Sequence, residues 1–134
     1  MNQQNPKKRI LIIEDEQLIG ELFRDYLSPE KTWNVELVGT GEEGLKKMRA
    51  TKPDILLLDI ILPGISGYEV LQQMKAEREL AEIPVLILSN LGQKEEIAKG
   101  LSLGAEDFLV KANIEIDEIQ NKIKKILGKG RAVK

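Results

Sequence analysis

The chain of 134 residues, 42% hydrophobic and 31% charged, is sized for one compact domain with a real core and excludes two full ones. With 20 Lys and Arg against 22 Asp and Glu, its formal net charge of −2 lacks the basic excess of a nucleic-acid-binding module, so no direct nucleic-acid contact is expected. The absence of Cys and His excludes disulfides, thiolate nucleophiles, Cys/His zinc sites, His-dependent triads and a phosphohistidine on this chain, which leaves carboxylates, hydroxyls and lysines for any metal or phosphoryl chemistry.

Residues 1–8 read as an N-terminal extension, 9–127 as the domain and 128–134 (GKGRAVK) as a short basic tail. No apolar run approaches the roughly 18 residues needed to span a bilayer, and MNQQNPKKR lacks the apolar core of a signal peptide. A cytoplasmic location without membrane insertion is therefore expected. From Arg9, RILIIE is a continuous apolar run of strand length, suited to a strand covered on both faces. Leu18, Ile19, Leu22, Phe23, Tyr26 and Leu27 then recur at helical spacing, which predicts an amphipathic helix stopped by Ser28-Pro29.

The alternation repeats along the chain. WNVELVG reads as a strand, followed by a helix after Thr40 carrying Leu45 and Met48. DILLLD is the next strand, with a helix over 67–78 carrying Tyr68, Leu71 and Met74. IPVLILS precedes a helix over 93–103, and EDFLVK precedes a closing helix in which Ile116, Ile119, Ile123 and Ile126 share one face. Asn113 is the expected N-cap of that helix and Gly128 its stop. Strands alternating with helices in so short a chain define a three-layer, doubly wound α/β domain. The expected sheet is parallel and five-stranded, with the flavodoxin-like order 2-1-3-4-5 and its ligand crevice at the carboxyl ends of strands one and three.

That crevice is where the chemistry-bearing residues fall. The first strand ends in Glu14, Asp15 and Glu16, the third in Asp59, the fourth in Ser89 and the fifth in Lys111. The outlying second strand ends in Val38-Gly39, with nothing reactive. A carboxylate after ILLL on a doubly covered strand needs a cation, and Lys111 offsets only one of the negative charges that Glu14 and Asp15 add. Oxygen ligands without His or Cys select Mg²⁺ or Mn²⁺, in a site open to phosphate oxygens. A carboxylate, a metal, a hydroxyl and a lysine around one point favour phosphoryl transfer onto Asp59. Glu16 reads as a charge in the first helical turn rather than a ligand.

The Glu14-Asp15 pair after ILII, Asp59 followed by Pro63-Gly64 and Gly67, Ser89 after VLIL, and Lys111 after Phe108-Leu109-Val110 together resemble the receiver domain of two-component response regulators, across residues 9–127. The resemblance implies that Asp59 accepts a phosphoryl group from the phosphohistidine of a sensor histidine kinase or phosphotransfer protein. It implies Mg²⁺ held directly by Asp15 and Asp59, by the backbone carbonyl of Ile61, and through water by Glu14. Lys111 would pair with one phosphoryl oxygen and Ser89 would donate to another. Movement of Ser89 would let the switch aromatic Phe108 turn inward, changing the surface of the fourth helix, fifth strand and fifth helix that a downstream protein target reads. The only catalysis implied is of the domain's own phosphorylation and dephosphorylation.

Two features depart from the family pattern. Ala112 stands where the family carries a proline in a cis bond, and a cis bond before a non-proline residue costs ~2.5–4 kcal/mol. Asn90 and the apolar Leu91 occupy positions that tune phosphoryl lifetime, and Leu91 is expected to slow self-dephosphorylation. A haloacid-dehalogenase-like phosphatase would need a second acid where Ile61 stands, and a flavodoxin or dinucleotide binder would need a phosphate loop where Glu14, Asp15 and Glu16 repel phosphate. The remaining alternative is a phosphorylation-independent interaction module of the same fold. With room for a receiver and no output domain, a stand-alone regulator is the expectation, and homodimerisation stays open.

Overall fold

Five short apolar runs form the five strands because each is too short for a buried helix. In the computed structural model, which describes residues 7–27 and 33–129, these are β1 (Lys8–Ile13), β2 (Trp33–Val38), β3 (Ile55–Leu58), β4 (Val85–Ser89) and β5 (Asp107–Val110). The helices are α1 (Gln17–Leu27), α2 (Gly41–Thr51), α3 (Gly67–Ala76), α4 (Lys94–Ser102) and α5 (Ile116–Lys129). All strand pairs are parallel in the order β2-β1-β3-β4-β5, as the alternation predicts.

The strand pleat divides the core into two layers. Leu11, Ile13, Leu56, Leu58, Val85, Ile87 and Phe108 face α2 and α3, packing with Leu45, Met48, Val70, Leu71 and Met74. Ile10, Ile12, Ile55, Leu57, Leu86 and Leu88 face α1 and α5, packing with Phe23, Leu27, Ile119, Ile123 and Ile126. Register aligns the strand ends: Ile13 pairs with Leu58, Leu58 with Ile87, and Ser89 with Val110. Glu14 and Asp59 therefore emerge at the same level, with Asp59 N–H donating to the Ile13 carbonyl at 3.1 Å.

Several boundaries and one helix face differ from the sequence reading. On α1, Leu18, Leu22 and Tyr26 are 82%, 48% and 56% exposed, while Gly20, Phe23 and Leu27 are buried. The close approach at Gly20, where a Cβ would lie 2.7 Å from Leu37 Cδ1, rotates the helix so that this second stripe meets the sheet. Asn113 does not cap α5. It closes a 3₁₀ turn (Lys111–Asn113), and the helix starts three residues after it, at Ile116. Glu115 precedes the helix, accepting from Ile119 N–H at 3.2 Å and donating its own N–H to Glu118 Oε1 at 3.2 Å. Gly128 does not stop α5, which continues through Lys129, because Gly128 does not take the left-handed backbone conformation of a glycine stop. Helix α3 ends at Ala76 rather than at 78, and Gln93 precedes α4 as its N-cap. The Ser28-Pro29 stop, residues 1–6 and the tail beyond 129 lie outside the described residues.

At its start β5 is tied to α5 by Lys122 Nζ, 2.7 Å from Asp107 Oδ2, while Phe108 N–H donates to Oδ1 at 2.8 Å. Burial pushes this carboxyl up, but the hydrogen bonds from Lys122 and Phe108, with the charges of Lys122 and Lys125, outweigh it and hold it below its ordinary 3.8. A carboxyl lowered by folding adds stability that is complete above its unfolded value and lost as pH falls through the folded one. In Lys122→Met, Asp107 is expected to titrate closer to 3.8 by carboxyl ¹³C NMR. Chemical unfolding at neutral pH should show a loss of about 0.5 kcal/mol, because the pair is partly solvent-screened.

Candidate functional site

The strand ends bring a buried lysine to two acids. Lys111, at the head of the 3₁₀ turn after β5, places Nζ 2.5 Å from Glu14 Oε1 and 3.0 Å from Asp59 Oδ2. Among the described residues no peptide bond is cis, that between Lys111 and Ala112 included, and the 3₁₀ turn delivers Lys111 to the acids without it. The second oxygen of each acid is held by backbone: Asp59 Oδ1 accepts from Ile60 N–H at 2.7 Å, and Glu14 Oε2 from Glu16 N–H at 3.1 Å.

Asp59 cannot retreat, because α3 begins against its backbone. Gly67 N–H donates to the Ile60 carbonyl at 2.8 Å, and a Cβ at Gly67 would collide with the Asp59 carbonyl oxygen. Glycine is required there by close approach, not by an unusual φ. Ser66 and Glu69 form a reciprocal capping box that fixes the first turn of α3 in this seat.

Asp15, exposed, completes the acidic group: one carboxylate oxygen each from Glu14, Asp15 and Asp59 lie within 4.8 Å of one another. One ammonium pairs with two of the three carboxylates, and Asp15 has no ion-pair partner among the described residues. The group is therefore suited to a divalent cation with oxygen preference. An open cleft of about 220 Å³ lies above it, lined by Asp15, Glu16, Asp59, Ile61, Ser89, Asn90 and Lys111.

The electrostatics follow from burial. Desolvation drives the Glu14 carboxyl above its ordinary 4.5, and hydrogen bonds from Lys111 and Glu16 only partly oppose it. For Lys111, burial works to lower the ammonium's pKa, yet hydrogen bonds to Glu14 and Asp59 prevail and raise it above 10.5.

The remaining sequence candidates divide between the cleft and the core. Ser89 is fully buried at the end of β4 and lines the cleft, its hydroxyl accepting from Leu91 N–H at 3.2 Å. Ile61 is 59% exposed on the rim. Phe108 is 7% exposed and lies apart from the cleft, its ring against α4 at Gly100. Glu16 lies just before α1 rather than in its first turn, and its side chain lines the rim.

Sequence reasoning had Lys111 offsetting only one nearby negative charge, whereas its ammonium bonds both Glu14 and Asp59. Consecutive strand residues point to opposite faces, and that alternation at Glu14-Asp15 was the available signal that the two acids have different surroundings.

Comparison with known proteins places the chain. The response regulator receiver domain family matches residues 10–124. The chain belongs to this family. It is 34% identical over 128 residues to the transcriptional regulatory protein RprY of Bacteroides fragilis, covering 96% of this chain and 52% of that protein. It is 33% identical to the alkaline phosphatase synthesis transcriptional regulatory protein PhoP of Bacillus subtilis, covering 90% of this chain and 48% of that one. The chain thus spans about half the length of the curated relatives it matches. Among solved structures, a putative response regulator from Chloroflexus aurantiacus superposes with a TM-score of 0.84 at 28% identity, covering 92% of this chain and 99% of that one. The phosphorylated cyanobacterial phytochrome response regulator RcpA gives 0.84 at 26% identity, with 93% and 97% covered.

Lys111→Met removes the one ammonium between Glu14 and Asp59. In metal-free buffer at pH 7 the variant is expected to lose about 3 kcal/mol of unfolding free energy, since two buried charges are left facing each other. Glu14 then rises further above 4.5, so its folded form binds a proton more readily than its unfolded form, and the loss shrinks as pH falls through that window. In the wild type, the Lys111 contribution persists up to 10.5 and is lost only as pH rises through its raised folded value. Urea unfolding of both proteins across pH checks all three.

Proposed function

We propose that the chain is a phosphoacceptor switch in two-component signalling, with Asp59 as the acceptor. The observation that carries this reading is the seat of Asp59: one carboxylate oxygen held by Ile60 N–H, the other by Lys111, at the floor of an open cleft. An Asp59 oxygen attacks the phosphorus of a phosphohistidine on a sensor histidine kinase or phosphotransfer protein. The P–N bond breaks, its electron pair stays on the donor imidazole, and an aspartyl phosphate forms on this chain.

Asp15, Asp59 and the Ile61 carbonyl would hold Mg²⁺, with Glu14 acting through water. Bound there, Mg²⁺ supplies neutralisation of phosphoryl oxygen charge. Lys111 carries three donor hydrogens and releases one carboxylate to take a phosphoryl oxygen as charge moves onto Asp59. The Ser89 hydroxyl, which accepts from Leu91 N–H, keeps its own proton for another phosphoryl oxygen.

Ser89 and Phe108 then bias the α4–β5–α5 surface toward a state that a downstream protein reads. Among the described residues no helix is long and apolar enough to cross a membrane, in keeping with action in the cytoplasm. The transcriptional roles of RprY and PhoP belong to those longer proteins.

Incubation with an acyl phosphate or phosphoramidate, followed by intact mass measurement, is expected to add one phosphoryl group in the presence of Mg²⁺. Neither the Mg²⁺-free sample nor Asp59→Ala should gain it. An unmodified wild type would overturn the acceptor role and leave a phosphorylation-independent interaction module.

A further inference from the structure

Helix α4 is thinly anchored. Of its nine residues only Gly100 is buried, seated so closely that a Cβ would lie 2.7 Å from Ile87 Cδ1 and 3.2 Å from Phe108 Cδ2. Beyond Gly100, α4 adds to the core layer only the partly buried Ile97, and an element with so little apolar burial shifts easily unless something else ties it down.

The tie comes from α3. The Tyr68 hydroxyl donates to the Glu96 carbonyl at 3.1 Å, and Lys99 Nζ stands 4.4 Å from the Tyr68 ring centroid. A carbonyl oxygen has two lone pairs, so the phenol can bond to one inside a helix without displacing the helix's own hydrogen bond. The two contacts lie one turn apart on α4, and the half-buried ring packs on the α2/α3 core layer. Tyr68 itself has a firm base, since its neighbour Gly67 is wedged against the Asp59 and Ile60 backbone. One side chain thus connects the rigid floor of the cleft to the least anchored helix.

We propose that Tyr68 is a latch that holds α4 in its resting position, through its hydroxyl on Glu96 and its ring beneath Lys99. The latch adds a regulatory element to the phosphoacceptor reading, on which its role in signalling rests, and its contacts use neither Ser89 nor Phe108. Repositioning α4 requires breaking one hydrogen bond and one cation–π contact, and the strength of these contacts sets how far α4 departs from rest before any modification.

Amide hydrogen exchange of the full, unmodified chain tests this without any phosphoryl donor. Tyr68→Phe keeps the ring and removes the hydroxyl, and Lys99→Met keeps the aliphatic stem and removes the charge. In Tyr68→Phe, amides 97–102 are expected to exchange about fivefold faster, the effect of one lost hydrogen bond, with a smaller acceleration in Lys99→Met. Amides of β1 and β3 should keep wild-type rates in both. Unchanged α4 protection in both variants would overturn the latch, as would acceleration spread evenly over the sheet, which marks general destabilisation. The mass measurement above is read separately: faster α4 exchange with no phosphoryl uptake by the wild type supports the latch and removes the acceptor reading, whereas uptake with unchanged exchange removes the latch alone.

Discussion

The arrangement depends on one ammonium shared between two buried carboxylates. Among the described residues Lys111 is the only cation at the floor of the cleft, and it reaches both Glu14 and Asp59. Removing these groups from water is unfavourable, and mutual pairing with backbone N–H support is what makes their burial tolerable. The compensation is incomplete: desolvation still pushes the Glu14 carboxyl up, and Asp15 adds a further charge close by. Among the described residues the cluster holds three carboxylates and one ammonium, a composition that suits a cation.

A cluster of this kind holds together only on a rigid support. The central strands are buried over their described length, and their register delivers Glu14 and Asp59 side by side. Behind Asp59, Gly67 and the capping box at Ser66 and Glu69 leave the backbone nowhere to move. Stiffness on the β1–β3 side contrasts with α4, which buries a single glycine. Domains that respond to a ligand draw their moving parts from weakly anchored elements, and the two sides of this fold differ in that respect: a wedged acidic cleft on one side, a thinly packed helix on the other.

Membership of the receiver family and the geometry of the cleft agree, yet they arise from different observations. The family match spans residues 10–124, while the cleft follows from where β1, β3, β4 and β5 end. The cleft has Asp59 in its lining. The apolar stripe on α1 and the half-length coverage of the curated relatives concern what surrounds this core rather than its chemistry.

Much of the fold was legible in the sequence, because apolar runs such as ILLL and VLIL can be satisfied only as doubly covered parallel strands, and the alternation with helices restricts the topology. The strand-end positions of Asp59, Ser89 and Lys111 followed from the same reasoning. What the linear pattern could not decide was direction and distance. It did not decide which of two adjacent apolar stripes on α1 meets the sheet, since the approach at Gly20 to Leu37 on another element makes that choice. Nor did it decide where α5 begins, since the turn that delivers Lys111 to the acids occupies the position where Asn113 would have capped it. The Glu14–Lys111 pair spans 97 positions and Tyr68 to Glu96 spans 28, so both contacts exist only once the sheet has assembled. The sequence alone determined the residue types and the level at which they leave the sheet, because periodicity and burial are local properties of the chain. The tertiary structure alone decided which charges neutralise each other and which helix stays loosely held, because those depend on distances between segments that the linear order leaves open.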